Sequence, residues 1–209
     1  EMTSSLVGSE MCIRDRHRLE PKLMSVMSMA SFSDAHECEE IPIIAANLHR
    51  VIHPAQSQIW AVIRQDDSLK RIAYSISNTF LGRMCISGDV TQLAPEKWNL
   101  IEQGISFYGK IKDIIKEGQS YRYGPKIKSA RHPEGWQALL RVGKNKQAYV
   151  VIHVFGGELP EVIEIELPEG IPDHIRQIYA HQEMEVSIKD RKIYYRPSEN
   201  KSAVTLWLE

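Results

Sequence analysis

Two patterns of apolar residues divide the chain. From Leu23 to Gly118, short apolar runs alternate with segments whose apolar residues recur every three or four positions. Leu23 to Phe32 (LMSVMSMASF) is a Met-rich run that ends in a Ser-Asp turn and reads as a buried strand. Glu39 to Ile52 carries Ile43, Ile44, Leu48, Val51 and Ile52 at helical spacing, with Pro42 tolerable only in the first turn. Gln58 to Ile63 (QIWAVI) reads as a second strand. Asp67 to Leu81 follows as a helix, with Leu69, Ile72, Ile76 and Phe80 along one face and Gly82 as its stop. Arg83 to Ser87 (RMCIS) is a third strand. Pro95 opens a long helix striped by Trp98, Ile101, Ile105, Tyr108, Ile111 and Ile115, and Gly118 ends it. Strands alternating with helices predict a parallel sheet with helical crossovers.

After Gly118 the pattern changes, and Ile163, Ile165 and Leu167, then Val204, Leu206 and Leu208, recur at every second position. Trp136 to Val142, Gln147 to Phe155, Val162 to Leu167, Ile175 to Ala180, Met184 to Lys189, Lys192 to Arg196 and Ala203 to Leu208 all read as strands. Turn signals separate them, among them Gly143-Lys144-Asn145-Lys146, Gly156-Gly157, Pro168-Glu169-Gly170 and Asp190-Arg191. Strands in succession without helices predict an antiparallel sheet or sandwich. A domain boundary is therefore expected near Gly118. Within the first region, three strand-helix units fit either a small open sheet or part of a larger barrel, whose eight units would need about 250 residues.

The first residues follow neither pattern. Ser5 to Arg16 (SLVGSEMCIRDR) resembles translated sequencing-adapter sequence, of the kind joined to the ends of metagenome-derived reading frames. It lacks the basic start and long apolar run of a signal peptide. Residues 1–16 are accordingly set apart as an artefact or a disordered tail, and the chain is expected to begin inside a longer protein.

Composition narrows the function. Of 209 residues 43% are hydrophobic and 25% charged, an ordinary globular balance. Lys and Arg number 26 against 27 Asp and Glu, so there is no basic excess to support nucleic-acid binding. No apolar run reaches membrane-spanning length, and no membrane partner is expected. Cys12, Cys38 and Cys85 are an odd number at wide spacing, which fits a reducing compartment and a cytoplasmic location better than a disulfide framework.

Candidate chemistry concentrates in Ser31 to Glu37 (SFSDAHE). Asp34 sits where an apolar strand hands over to a helix, the edge where strand-helix folds gather catalytic side chains. On spacing alone, the simpler reading is that Asp34 caps the following helix. His36 and Cys38 offer two metal-ligand types, but no further pair stands at ligand spacing, and no metal or other cofactor is expected. Cys38 reads as a packed thiol. Glu37, Glu39 and Glu40 complement a helix N-terminus, with Glu37 as an alternative acid. Ser87-Gly88-Asp89 ends the third strand at the same rim as Asp34.

Three stretches, SFSDAHECEEIPIIAANLHRVIHPAQSQIWAVI, YSISNTFLGRMCISGDV and WNLIEQGISFYGKIKDIIKEG, together resemble the end of the catalytic barrel of glycoside hydrolase family 36, the α-galactosidase (melibiase) family. The β-rich stretch resembles that family's C-terminal domain in architecture. The resemblance implies an α/β plus all-β fold: the last part of a TIM (β/α)8 barrel over residues 17–118, then an antiparallel β-sandwich over residues 119–209. It implies a retaining glycosidase with two carboxylates, and Asp34 matches the general acid/base of the family's Ser-Asp motif. The nucleophile, in a Lys-Trp-Asp motif, has no match here and would lie upstream. In the usual form of the motif a Trp precedes the Ser-Asp pair, where this chain has Phe32, and His36-Glu37 follow where the family often has another Asp.

The chemistry accounts for the residue type. A retaining enzyme holds its carboxyls about 5–5.5 Å apart; the acid donates its proton to the leaving oxygen, then deprotonates water. Ser33, His36 and Asp89 are the matching candidates for contacts to sugar hydroxyls, Asp89 having a helix-entry turn as its plain alternative. The implied ligand is an α-galactoside oligosaccharide of melibiose or raffinose type. A homo-oligomeric parent enzyme stays open, and the chain by itself is expected to be inactive. Trp60 and Trp98 read as core. Tyr194, Tyr195 and Trp207 read as ordinary sheet residues or as a sugar-stacking face. A non-catalytic carbohydrate-binding or interaction module stands as the alternative function.

Overall fold

A computed structural model of the chain describes residues 21–31 and 38–209. Its first half contains helix α1 (Pro21–Val26), strand β1 (Ala30–Ser31), helix α2 (Ile41–Leu48), a 3-10 turn (Pro54–Gln56), strand β2 (Ser57–Ile63), helix α3 (Leu69–Thr79), strand β3 (Arg83–Gly88) and helix α4 (Pro95–Glu117). The three strands pair in parallel in the order β1-β2-β3. The alternating pattern thus produced the expected parallel sheet. Among the described residues this sheet is open, with β1 and β3 at its edges.

Local chemistry explains where the elements depart from the pattern. Leu23 to Phe32 is not one strand: its first part is helix α1, and only Ala30–Ser31 pairs as β1. The run is rich in Met, a good helix former, and Val26 is its sole β-branched residue. Helix α2 stops at Leu48, short of Ile52, and leaves Val51 exposed. Helix α4 spans the range its pattern predicted, but its buried face is Leu100, Ile101, Gly104, Phe107, Ile111, Ile114 and Ile115. Trp98 and Ile105, read as part of the stripe, are 36% and 47% exposed.

The second half is all β. Strands β4 (Gln119–Tyr123), β5 (Trp136–Val142), β6 (Ala148–Val154), β8 (Ile175–Tyr179) and β11 (Ser202–Leu208) form a five-stranded sheet in the order β4-β5-β6-β11-β8. Strands β7 (Ile163–Glu166), β9 (Glu185–Lys189) and β10 (Lys192–Arg196) form a second, in the order β7-β10-β9. All pairings in both sheets are antiparallel. Asp190 and Arg191 join β9 to β10 with φ of 50° and 59°, the geometry of a two-residue hairpin turn whose twist matches the strands.

Side-chain alternation then sorts the five-stranded sheet. One face (Ala138, Leu140, Val150, Ile152, Val204, Leu206) packs on Ile163, Ile165, Ile193 and Tyr195 of the second sheet, which makes the sandwich. The opposite face (Leu139, Tyr149, Val151, Tyr179) packs on α3 and α4. The layers therefore run parallel sheet, helices, five-stranded sheet, three-stranded sheet. Helix α3 lies between two sheets, which buries Tyr74, Ser75, Ser77, Asn78 and Thr79 together with its apolar stripe.

Where α3 crosses α4, a glycine sets the distance. A Cβ at Gly104 would stand 2.5 Å from Cγ2 of Ile76 and 3.1 Å from the Tyr179 hydroxyl. At Gly109, on the same helix, it would meet nothing within 4 Å. Gly109→Ala should therefore stabilise by about 1 kcal/mol through helix propensity. Gly104→Ala should instead destabilise by about 1–3 kcal/mol through overpacking. Urea midpoints of the two variants check the opposite signs.

His153 of β6 is buried in this interface against Tyr74 (ring centroids 5.0 Å apart) and Phe155, and neither ring nitrogen has a hydrogen-bond partner. Burial lowers its pKa from 6.5 to about 3. The folded state therefore keeps the neutral ring while the unfolded chain takes up a proton below pH 6.5. Its share of the stability is whole above pH 6.5 and is lost as pH falls toward 3, at about 1.4 kcal/mol per pH unit. Between pH 6.5 and 5, His153→Phe should lose about 2 kcal/mol less than the parent chain in urea unfolding.

Arg141 of β5 is fully buried and joins the two halves. Its Nε donates to Oγ of Ser120 (3.0 Å), Nη1 to the Tyr149 hydroxyl (2.9 Å), and both Nη atoms to the carbonyl of Leu81 (3.3 Å). The Tyr149 hydroxyl donates in turn to the carbonyl of Phe80 at 2.7 Å. Two carbonyls just past the C-terminus of α3 are thus met by one guanidinium and one phenol. The negative end of the helix dipole does part of the work a carboxylate would do for a buried cation.

Candidate functional site

Among the described residues the parallel sheet has one covered face and one bare face. Ile59, Ala61 and Ile63 of β2, with Met84 and Ile86 of β3, join the core under α3 and α4. The register pairs Trp60 with Cys85 and Val62 with Ser87, so these four point the other way. Trp60, Cys85 and Ser87 are partly exposed, and Val62 is 49% exposed. Parallel sheets are normally covered on both faces. Trp60 is therefore not a core residue here. Its Nε1 donates to Oγ of Ser31, the last residue of β1, at 3.0 Å.

The C-terminal ends of β2 and β3 carry a rim of polar side chains. After Ile63 the chain turns through Arg64-Gln65-Asp66-Asp67. Asp67 is buried, and its carboxylate takes the backbone N–H of Arg64 (2.8 Å) and the guanidinium of Arg71 (3.0 Å). Ser68 caps α3 by accepting from the N–H of Arg71 at 3.2 Å. At the end of β3, Gly88 takes φ of 102°, with its Cα so close that a Cβ would stand 2.0 Å from the carbonyl of Ile63. Only glycine fits there, and the fit lets the N–H of Asp89 bond that same carbonyl at 2.9 Å. Lys97 ties the two loops together by donating to the carbonyl of Gln65 at 2.7 Å.

This framework presents an open depression of about 420 Å3 lined by Arg64, Gln65, Asp66 and Asp89. Asp89 is exposed there and accepts a hydrogen bond from the Thr91 hydroxyl at 3.2 Å. Two carboxylates beside a guanidinium suit a ligand rich in hydroxyl groups: the carboxylates accept O–H donors and the guanidinium donates to ring or hydroxyl oxygens. Asp66 was not among the residues singled out from the sequence, because no motif marks it. The strand-helix handover that follows QIWAVI would have pointed to it.

Of the residues singled out from the sequence, Ser33, Asp34 and His36, with the alternative acid Glu37, lie outside the described residues. Asp89 lies on the rim. Ser31 pairs with Gln58, whereas Gly88 pairs with Ile63, five residues along β2 and about 16 Å further up the sheet. The described end of β1 therefore stands well below the level of Asp89. Tyr194, Tyr195 and Trp207 do not share a face. Tyr195 is buried in the sandwich, Tyr194 lies on the other side of β10, and Trp207 faces α4 beneath Lys110, whose Nζ is 5.6 Å from its ring centroid. No group of three His, Cys, Asp or Glu side chains able to hold a metal occurs among the described residues. No described helix is long and apolar enough to cross a membrane.

No family model matches the sequence, and no curated protein matches it. Solved structures do share its fold. The α-galactosidase AgaA of family GH36 from Geobacillus stearothermophilus superimposes on 92% of this chain and 27% of its own, with a TM-score of 0.66 at 16% identity. AgaB from the same organism, also GH36, covers 96% of this chain and 30% of its own, with a TM-score of 0.60 at 17% identity. The α-galactosidase of Lactobacillus brevis covers 84% and 25%, with a TM-score of 0.57 at 15% identity. The chain spans between a quarter and a third of the length of these proteins. At such identities the likeness is one of fold, and that fold is the one found in a portion of GH36 α-galactosidases.

Proposed function

We propose that this chain is the C-terminal portion of a retaining α-galactosidase, with β1, β2 and β3 as the last three strands of its catalytic barrel. The bare face of the parallel sheet carries this reading. In a closed (β/α)8 barrel that face looks inward onto side chains of the other strands, and the two sheet edges pair with their neighbours. Trp60, Val62, Cys85 and Ser87 are then interior residues of the barrel. The depression at Asp66 and Asp89 then lies at its C-terminal mouth, where barrel enzymes bind substrate.

In this assignment Asp34 is the general acid/base, and Ser33, His36 and Asp89 contact sugar hydroxyls. The nucleophilic Asp comes from polypeptide upstream. Asp34 protonates the glycosidic oxygen while the nucleophile attacks the anomeric carbon. It then deprotonates the water that cleaves the covalent glycosyl-enzyme. Terminal α-galactosides are the substrate class. Solved complexes of AgaA variants with raffinose and stachyose support that choice. This chain by itself lacks the nucleophile and should not turn over substrate.

The test extends the coding sequence upstream and expresses the longer protein. It should hydrolyse melibiose and release α-galactose first, as proton NMR of the anomeric signals reports. β-Galactose as the first product would overturn the retaining mechanism. An extended protein that lacks a carboxylate nucleophile and any hydrolytic activity would overturn the enzyme assignment.

A further inference from the structure

A second cavity lies at the edge of the parallel sheet where helices hand back to strands, the edge opposite Asp66 and Asp89. It measures about 290 Å3. Ala46, His49 and Arg50 line it from the end of α2, and Ser120, Arg122 and Leu139 from β4 and β5. The register places Ser120 opposite Arg141 and Arg122 opposite Leu139, so these four side chains share the sheet face that looks toward α2.

Every polar side chain of this lining is a cation or has a donor to offer. Arg50 and Arg122 are exposed, and among the described residues neither is paired with a carboxylate. Nη1 of Arg122 donates to Oδ1 of Asn47 at 3.3 Å, a long bond that leaves most of its fork unused. Oγ of Ser120 accepts from Arg141, so its own hydroxyl proton is free to turn outward. Nη2 of Arg141 is 3.1 Å from Nδ1 of His49. A guanidinium can only donate, so Nδ1 is the acceptor and the ring proton sits on Nε2, which is buried and has no hydrogen-bond partner among the described residues. Arg141 stands directly behind Ser120 and His49 as a third guanidinium. The carbonyl of Leu81 offsets part of its charge, but nothing acidic lines the cavity to offset Arg50 or Arg122.

The geometry points to an oxyanion site that takes phosphate or the phosphate group of a monoester. Arg50 approaches from the helix wall, and Arg122 and Ser120 approach from the strand wall. A phosphate presents three or four acceptor oxygens to two walls at once, whereas a carboxylate presents two. The buried charge of Arg141 adds a field that water screens less than it screens the two surface arginines. This site stands apart from the glycosidase assignment and does not depend on it.

Isothermal titration of the full chain with sodium phosphate, at ionic strength held constant with chloride, tests it. Phosphate should bind saturably at one site and raise the melting temperature above the chloride baseline. Arg50→Gln with Arg122→Gln should weaken binding by about tenfold or more, and Ser120→Ala by less. Both arginines are exposed, so the double variant should keep its melting temperature without phosphate. Glycerol 3-phosphate titrated in parallel separates the two sources: tighter binding than phosphate assigns the site to an esterified ligand, and weaker binding to free phosphate. Acetate binding as tightly as phosphate would overturn the assignment in favour of a carboxylate site. A phosphate effect no larger than that of chloride, or one unchanged in the double variant, would overturn it outright.

Discussion

If the longer protein is the α-galactosidase proposed above, Asp34→Asn in it should lower turnover of melibiose by about 10²–10⁴-fold. An aryl α-galactoside with a good leaving group needs no proton in the first step, so its glycosylation should be far less affected. Water would then attack the glycosyl-enzyme slowly for want of a base. Azide needs no base, so it should restore turnover and yield α-galactosyl azide, with retained configuration. The helix-cap reading of Asp34 does not hold, since the following helix α2 begins at Ile41 with Glu40 at its N-cap position. A purely structural hydrogen bond from Asp34 would have a different signature, costing about 1 kcal/mol of stability when lost and leaving chemistry alone. A variant that keeps its rate and loses only that much stability would remove Asp34 from the mechanism.

Arg141→Ala should be the most damaging single change to the fold among the described residues, at about 3–5 kcal/mol in urea unfolding at pH 7. It would strip a partner from the carbonyl of Leu81, the Tyr149 hydroxyl, Nδ1 of His49 and Oγ of Ser120, and leave a cavity between the halves. Arg141→Lys should recover little of this, because one ammonium cannot reach groups that lie around a planar fork. His49 supplies an independent readout. Its pKa is lowered to about 3, by burial first, then by the charges of Arg141 and His53. Removing the guanidinium should move the His49 titration upward, toward its ordinary value, as NMR of the ring would report. A loss below about 1 kcal/mol would mean that water replaces the guanidinium at these groups without cost.

Much of the fold was legible because simple periods carry it. The long helix from Pro95, the hairpin at Asp190-Arg191 and seven of the eight tail strands lie within two residues of where their patterns put them, since most are bounded by Pro, Gly or a turn pair. Strand β4 was not anticipated. Gln119 to Tyr123 alternates polar and aromatic residues too weakly to stand out, and it is a strand because it pairs with β5. The rim of the candidate site was half legible. Asp89 followed from its place after an apolar strand, while Asp66 was not singled out, lying just before a helix read from Asp67 whose cap is Ser68.

Arg141 and His153 show what a linear reading misses. Both sit in segments read simply as strands, where a charged or titratable residue is ordinarily assigned to the solvent side. Here the five-stranded sheet is covered on both faces, by the second sheet and by α3 with α4, so neither face is a solvent face. Helix α3 inverts in the same way: its Ser, Asn and Thr positions look like an outer face and are buried, Ser77 against Thr205 of β11 and Asn78 against the carbonyl of Cys38.

The sequence by itself determined the parallel order of the first half, the antiparallel character of the second, and the rim on which Asp89 stands. Each follows from periods and turn chemistry that act within some ten residues. Only the tertiary structure decided that α3 is enclosed, that Arg141 binds the end of that helix, and that Arg50 and Arg122 meet across one cavity. Those outcomes depend on which distant segment supplies the second layer, and burial by a distant layer leaves no local period to read.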